Sequence, residues 1–284
     1  MTWGEGGQSN GSHCNISSVP RAQIRDNART MITPIAFKFA LLLAGAIWAG
    51  AQNQLAGGGS FITLPVLMMT GMDARAANIT STVALFPGQV TGGWLGRAHA
   101  RGTASLSLRA LTVISLIGGA IGAVLLLMTP SDMFAKMVPW LVLFATIAFA
   151  WGSFGRKPVN EADKVPMGKL PAVALQSAIA IYGGYFGGGI GFLMLAILAV
   201  AGIPVRSAAA TKNLLAGVMN FTAVLIFLVS GEVRWLAMAV TMAGALTGSW
   251  LGAMMLRRVN ERALRYVVVA IGLALTVGLF HGGF

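Results

Sequence analysis

Lys212 makes the clearest chemical demand in this sequence. It stands in Ala210-Thr211-Lys212-Asn213, within an apolar stretch at about 207–230 that also holds Asn220. Counting from Arg206 at 1.5 Å per residue puts it about 9 Å into a helix. A cation held centrally in a membrane helix costs about 2.5–3.5 kcal/mol unless it is solvated or paired. No carboxylate lies in the same span. Either the lysine stem carries its ammonium back to the interface, or the missing partner is an anionic ligand. An earlier apolar stretch opens in a similar way, with Asn78-Ile79-Thr80-Ser81-Thr82 and then Gln89. Hydroxyls and amides of this kind hydrogen-bond oxyanion oxygens.

Each of these polar openings follows a run of glycines. The first is Gly57-Gly58-Gly59, preceded by Gln52-Asn53-Gln54 and followed by Ser60 and Pro65; the second is Gly187-Gly188-Gly189. Glycine costs a helix about 1 kcal/mol relative to alanine, and proline removes a backbone donor. Three glycines in an apolar segment therefore predict a stop in the helix with N–H groups left free. Within a bilayer such groups are tolerated only against protein or a wet cavity. Close helix packing through small residues is the alternative. Positive helix N-termini at two such breaks would attract an anion.

The two breaks are copies. At an offset of 131 without a gap, residues 56–91 lie over 187–222. Phe61, Arg75, Thr80 and Thr91 then meet Phe192, Arg206, Thr211 and Thr222, while Ser81 meets Lys212. Paired interrupted segments in two halves are a sequence pointer to a transporter's binding site.

Composition excludes several function classes. Of 284 residues, 56% are hydrophobic and 10% charged, which predicts a polytopic membrane protein in a lipid bilayer rather than a soluble domain. The net charge of +12 comes from cations in short loops, so positive cytoplasmic loops explain it and nucleic acid is not implied. All eight carboxylates and all three histidines fall in the tail, in loops or at span ends. That disfavours a cation pathway, a metal site or cofactor, and membrane-embedded acid–base hydrolysis. The lone Cys14 excludes an intrachain disulfide.

The predicted fold is all-α and polytopic, with two homologous halves. Residues 1–30 read as a disordered polar tail, 31–155 as the first transmembrane repeat, 156–168 as a linker and 169–284 as the second repeat. Each half is read as a Gly-broken helix or hairpin followed by three spanning helices. Three crossings per half invert the second copy. With the chain entering from outside, Arg97/Arg101/Arg109, Arg156/Lys157/Lys164/Lys169 and Arg257/Arg258/Arg262/Arg265 then face the cytoplasm. Only Arg75, Lys136 and Arg234 remain in the outer loops, so the positive-inside rule favours the inverted repeat, although it leaves Arg21, Arg25 and Arg29 outside. Gly118 with Gly122, and Gly248 with Gly252, have the spacing of helix-packing contacts.

Over roughly residues 34–282 the sequence resembles the sulfite exporter TauE/SafE family. The resemblance rests on Gly57-Gly58-Gly59 with Pro65 and Gly71, on Asn78-Ile79-Thr80-Ser81, and on Gly187-Gly188-Gly189 and Ala210-Thr211-Lys212-Asn213 with Asn220. It implies a multi-pass permease of the bacterial inner membrane that moves sulfite, sulfonates or related organic anions. Gln52-Asn53-Gln54 departs from the family, where small or apolar residues are more typical. The leading expectation is secondary transport of a small anion by alternating access. Gln52, Asn53, Gln54, Gly57, Gly58, Gly59, Ser60, Asn78, Thr80, Ser81, Gln89, Gly187, Gly188, Gly189, Thr211, Lys212, Asn213 and Asn220 are the expected substrate site. An anion channel of the same fold is one alternative, and a membrane-embedded enzyme is another.

Overall fold

A computed structural model describes residues 21–55, 57–154, 168–255 and 261–281. Its elements are helices: α1 Arg21–Leu55, α2 Ser60–Met69, α3 Ala74–Gly96, α4 Leu108–Met128, α5 Ser131–Phe154, α6 Lys169–Tyr185, α7 Ile190–Val200, α8 Val205–Val229, α9 Trp235–Met255 and α10 Glu261–Phe280, with a 3-10 turn at Arg97–His99. Helix α1 begins at Arg21, ahead of the boundary drawn at residue 30. The polar tail up to residue 20, the linker over 156–167, and Arg257 and Arg258 lie outside the described residues, as do the side chains of Arg206, Arg262 and Arg265. The chain divides into two compact units at Phe39/Ala40, and the core packing and the polar cavity both belong to the second.

Among the described residues, Leu108–Met128, Ser131–Trp151 and Ser207–Val229 are long and apolar enough to cross a membrane, against the six crossings expected. Helix α3 reaches the length, but Asn78, Thr80, Ser81, Thr82 and Gln89 dilute its apolar character. Ser60–Met69 and Val269–Phe280 are apolar but short.

Local chemistry sets the helix ends. Asp73 caps α3 by accepting from Ala76 N at 3.1 Å, and Ser107 caps α4 through Ala110 N at 3.2 Å. Burial works to raise the Asp73 pKa, but hydrogen bonds from Ser131, Ala76 and Arg75, with the Arg75 charge, hold its carboxyl below the usual range. Between α1 and α2, Gly57 and Gly58 have φ of 93° and 77°; between α6 and α7, Gly187 and Gly189 have 71° and 76°. Residues bearing a Cβ rarely adopt these angles, so the chain turns here on glycine.

The core repeats one packing scheme. Helix α4 lies along α6, where a Cβ at Gly118 would meet Ala180 and one at Gly122 would overlap the Ile181 carbonyl. Helix α9 lies along residues 43–51 of α1, where a Cβ at Gly248 would overlap the Ile47 carbonyl and one at Gly252 would come 2.8 Å from Ala51 Cα. All four glycines read as packing positions are contact points. Three further sets of contacts form matching pairs: α2 on α3 and α7 on α8, α4 on α8 and α9 on α3, α5 on α7 and α10 on α2. Helices α3 and α8 pack directly on each other.

Candidate functional site

The two breaks, α3, α8 and α9 line a polar cavity of about 30 Å³, more than one water needs. Among the residues singled out from the sequence, Asn53, Gln54, Gly57, Gly58, Ser60, Gln89, Gly187, Lys212 and Asn213 line it. No carboxylate lines it, and Lys212 is its one cation.

Lys212 is buried, with 4% of its surface exposed, and has no hydrogen-bond or ion-pair partner among the described residues. Its ammonium reaches between the breaks. Cβ atoms on Gly57 and Gly191 would lie 3.8 and 3.7 Å from Nζ. Those two glycines approach each other closely enough that a Cβ on either would sit 3.4 Å from the other's Cα. A Cβ at either position would stand in ordinary van der Waals contact with the ammonium. Beside it, Gln54 and Asn213 converge over Gly92, whose Cβ would lie 3.2 Å from Gln54 Oε1 and 3.7 Å from Asn213 Nδ2.

The remaining predicted residues are placed elsewhere. Thr80 and Thr211 occupy one position in the two copies and act alike. Arg234 N donates to Thr80 Oγ1 at 3.2 Å, and Arg101 N donates to Thr211 Oγ1 at 2.9 Å. The Thr211 hydroxyl also donates to Arg101 O at 3.0 Å. Each threonine thus holds a loop of the opposite half and is not among the cavity-lining residues. Ser81 is fully buried and shares a 2.5 Å hydrogen bond with Thr63. Asn78 donates to Tyr185 O at 3.2 Å, and Gln52 Nε2 makes a long 3.5 Å contact to Gly58 O. Asn220 donates to Gln89 Oε1 at 2.5 Å. Gly59, Gly188 and Gly189 are packed instead: their Cβ atoms would meet Ala49 O, the Phe186 ring, and Ala145 with Phe61 respectively.

Gly88, Gly92, Ile190, Gly191, Ala216 and Ser249 complete the lining and were missed from the sequence. Gly191 carried a signal, being the copy of Ser60 at the offset of 131. The others are small or apolar residues that leave room, which no residue type announces.

Arg75, in the first turn of α3, bridges the halves. Its Nη2 lies 2.6 Å from Glu232 Oε1, and Nη1 donates to Thr129 O at 3.0 Å. Its sequence copy, Arg206, has a side chain outside the described residues.

A helical bundle with apolar spans and a polar cavity is a layout that secondary transporters use. The profile of the sulfite exporter TauE/SafE family matches residues 41–279, and the chain belongs to that family. Named relatives agree in kind. A probable membrane transporter protein of Haemophilus influenzae is 29% identical over 248 residues, covering 85% of this chain and 94% of the relative. The probable membrane transporter protein YfcA of Escherichia coli is 27% identical over 262 residues, covering 90% and 93%. The probable membrane transporter protein ORF9 of a Sinorhizobium species is 27% identical over 247 residues, covering 84% and 91%. No solved structure matches. The protein is an integral, multi-pass inner-membrane transporter, not an enzyme.

Proposed function

We propose that this chain is a secondary transporter of a small anion, a sulfur-containing oxyanion or organosulfonate, working by alternating access around two glycine breaks of an inverted repeat. The observation that carries the reading is the buried Lys212 side chain, whose ammonium has no partner among the described residues and meets a cavity framed by both breaks. An unpaired buried cation is costly, and an oxyanion bound there removes that cost. Asn53, Gln54, Ser60, Gln89 and Asn213 supply hydrogen bonds around it. The choice of a sulfur oxyanion rests on the family.

Helix directions support the inverted repeat. Helices α3 and α8 are copies of each other, yet they run antiparallel: Gly96 faces Ala210, Gly93 faces Asn213 and Leu214, and Gln89 faces Gly217. A two-fold axis across the helices relates such a pair. The Gln89–Asn220 hydrogen bond joins one position to its own copy and lies on that axis.

Tracer counterflow in proteoliposomes tests this. Vesicles preloaded with unlabelled sulfite or taurine-like sulfonate should transiently concentrate the labelled anion above its outside level. Label that equilibrates without overshoot would make the protein a channel. No flux of any sulfur oxyanion would remove the substrate assignment.

A further inference from the structure

We infer that one phospholipid with a phosphoethanolamine head seats lengthwise in a groove along α10, its chain against α2 and its head at the start of α5. Two adjoining hollows make the groove. The first, about 330 Å³, is walled by Trp48, Ile62, Val66 and Met69 and by Ile271 and Leu275 of α10, and none of its lining residues is charged. The second, about 620 Å³, lies between Met68, Leu279 and the start of α5, and is lined by Asp132 and Lys136. Leu275 and Leu279 stand one turn apart on α10, and Met68 and Met69 are consecutive, so the hollows adjoin.

The depth fits one leaflet. Ser131–Trp151 is apolar and long enough to cross a membrane, which puts Asp132 and Lys136 at its headgroup end. Helix α10 runs antiparallel to α5: Phe280 meets Trp140, Gly272 faces Thr146, and Tyr266 stacks on Phe154. From Lys136 to the level of Thr146 and Gly272 is about 15 Å along the helix, half of a hydrocarbon core about 30 Å thick. At that depth an apolar hollow fills with hydrocarbon and not with water.

Charge fixes the head. Asp132 and Lys136 are exposed and one turn apart, yet neither has a hydrogen bond or ion pair among the described residues, not even with the other. The helix dipole accounts for an acid in the first turn of α5, but not for the lysine one turn deeper. A phosphoethanolamine head carries both counter-charges: its phosphate answers Lys136 and its ammonium answers Asp132. Phosphatidylglycerol lacks the ammonium, and the methylated ammonium of phosphatidylcholine has no N–H to give a carboxylate. Phe61 lines the apolar hollow and follows Ser60, which lines the polar cavity, so the lipid bears on α2 beside the first break.

The experiment is native mass spectrometry of the purified, delipidated full-length protein with phosphatidylethanolamine, phosphatidylglycerol and phosphatidylcholine of identical chains. The parent should bind phosphatidylethanolamine about three- to fivefold more tightly than either other lipid, the worth of one exposed ion pair. Asp132→Asn should abolish that preference, and Lys136→Gln should weaken all three lipids. Leu275→Trp fills the apolar hollow and should weaken all three about threefold or more. Where a variant fails to fold, the parent's ranking decides alone. Equal binding of the three lipids by the parent, or a preference that survives Asp132→Asn, would overturn the proposal. Undiminished binding by Lys136→Gln or Leu275→Trp would do the same. A lipid-free dimer that Leu275→Trp dissociates would give the groove to a second copy of this chain and also overturn it.

Discussion

The two halves of this protein treat the same pair of adjacent positions in opposite ways. Thr80 and Thr211 are identical and do the same work, each hydroxyl accepting a backbone N–H of a loop from the other half. One residue on, Ser81 and Lys212 share neither chemistry nor surroundings: one is sealed against Thr63, the other is a bare cation in a cavity. The paired threonines tie loops across the molecule and are identical; Ser81 and Lys212, one residue on, are not, and of these two only the lysine lines the cavity.

The largest effect tests the frame. Gly122→Val and Gly248→Val each drive a side chain into a carbonyl of the neighbouring helix, Ile181 in one half and Ile47 in the other. Overpacking costs about 1–3 kcal/mol and sometimes more, and here the obstacle is backbone that cannot swing aside. Both variants should lose monodisperse, folded protein in detergent to a similar degree. Tolerance of one but not the other would show that the halves are not mechanically equivalent.

The next effect tests the divergence. Lys212→Met removes a charge-assisted interaction worth about 1.5–3 kcal/mol, so anion affinity should fall roughly 10- to 150-fold. Ser81→Ala, at the matching position, should leave affinity within about twofold. Titration of both purified variants with the same anion checks this. A Lys212→Met protein that binds like the parent would remove the lysine from the site, and an equal loss in Ser81→Ala would erase the contrast.

The smallest effect tests the shared role. Thr80→Val and Thr211→Val each strip a hydrogen bond from a loop N–H, at a cost of about 1 kcal/mol. Thermal melts should show both destabilised, Thr211→Val the more, because its hydroxyl also donates to the Arg101 carbonyl. Anion affinity should be unchanged in either. A loss of affinity without a loss of stability would place these hydroxyls in the site after all.

Helical, membrane-embedded architecture was legible because apolar composition and glycine punctuation are properties of the residues themselves. The place of Lys212 in a polar cavity was legible for the same reason, since a cation in an apolar span needs polar surroundings wherever the fold puts it. Thr80 and Thr211 were harder. A repeated threonine fits both a ligand site and a loop tie, and only the position of Arg101 and Arg234 in space separates them. Gly88, Gly92 and Ala216 were not legible, because a cavity wall made of missing side chains looks like ordinary helix packing until its neighbours are known. Gly189 was read as open backbone and is packed against Ala145 and Phe61, for the converse reason.

Gln89 and Asn220 are one position in two copies, and they touch. Contact between a position and itself is what an isologous homodimer has on its axis. In a symmetric pair of identical half-length chains every substitution would arrive twice, so a lysine at the position of Lys212 would bring two ammonium groups to one interior. A single polypeptide is free of that constraint: here one position carries a tied serine and its counterpart a charge, a division of labour that no symmetric pair of identical chains can make.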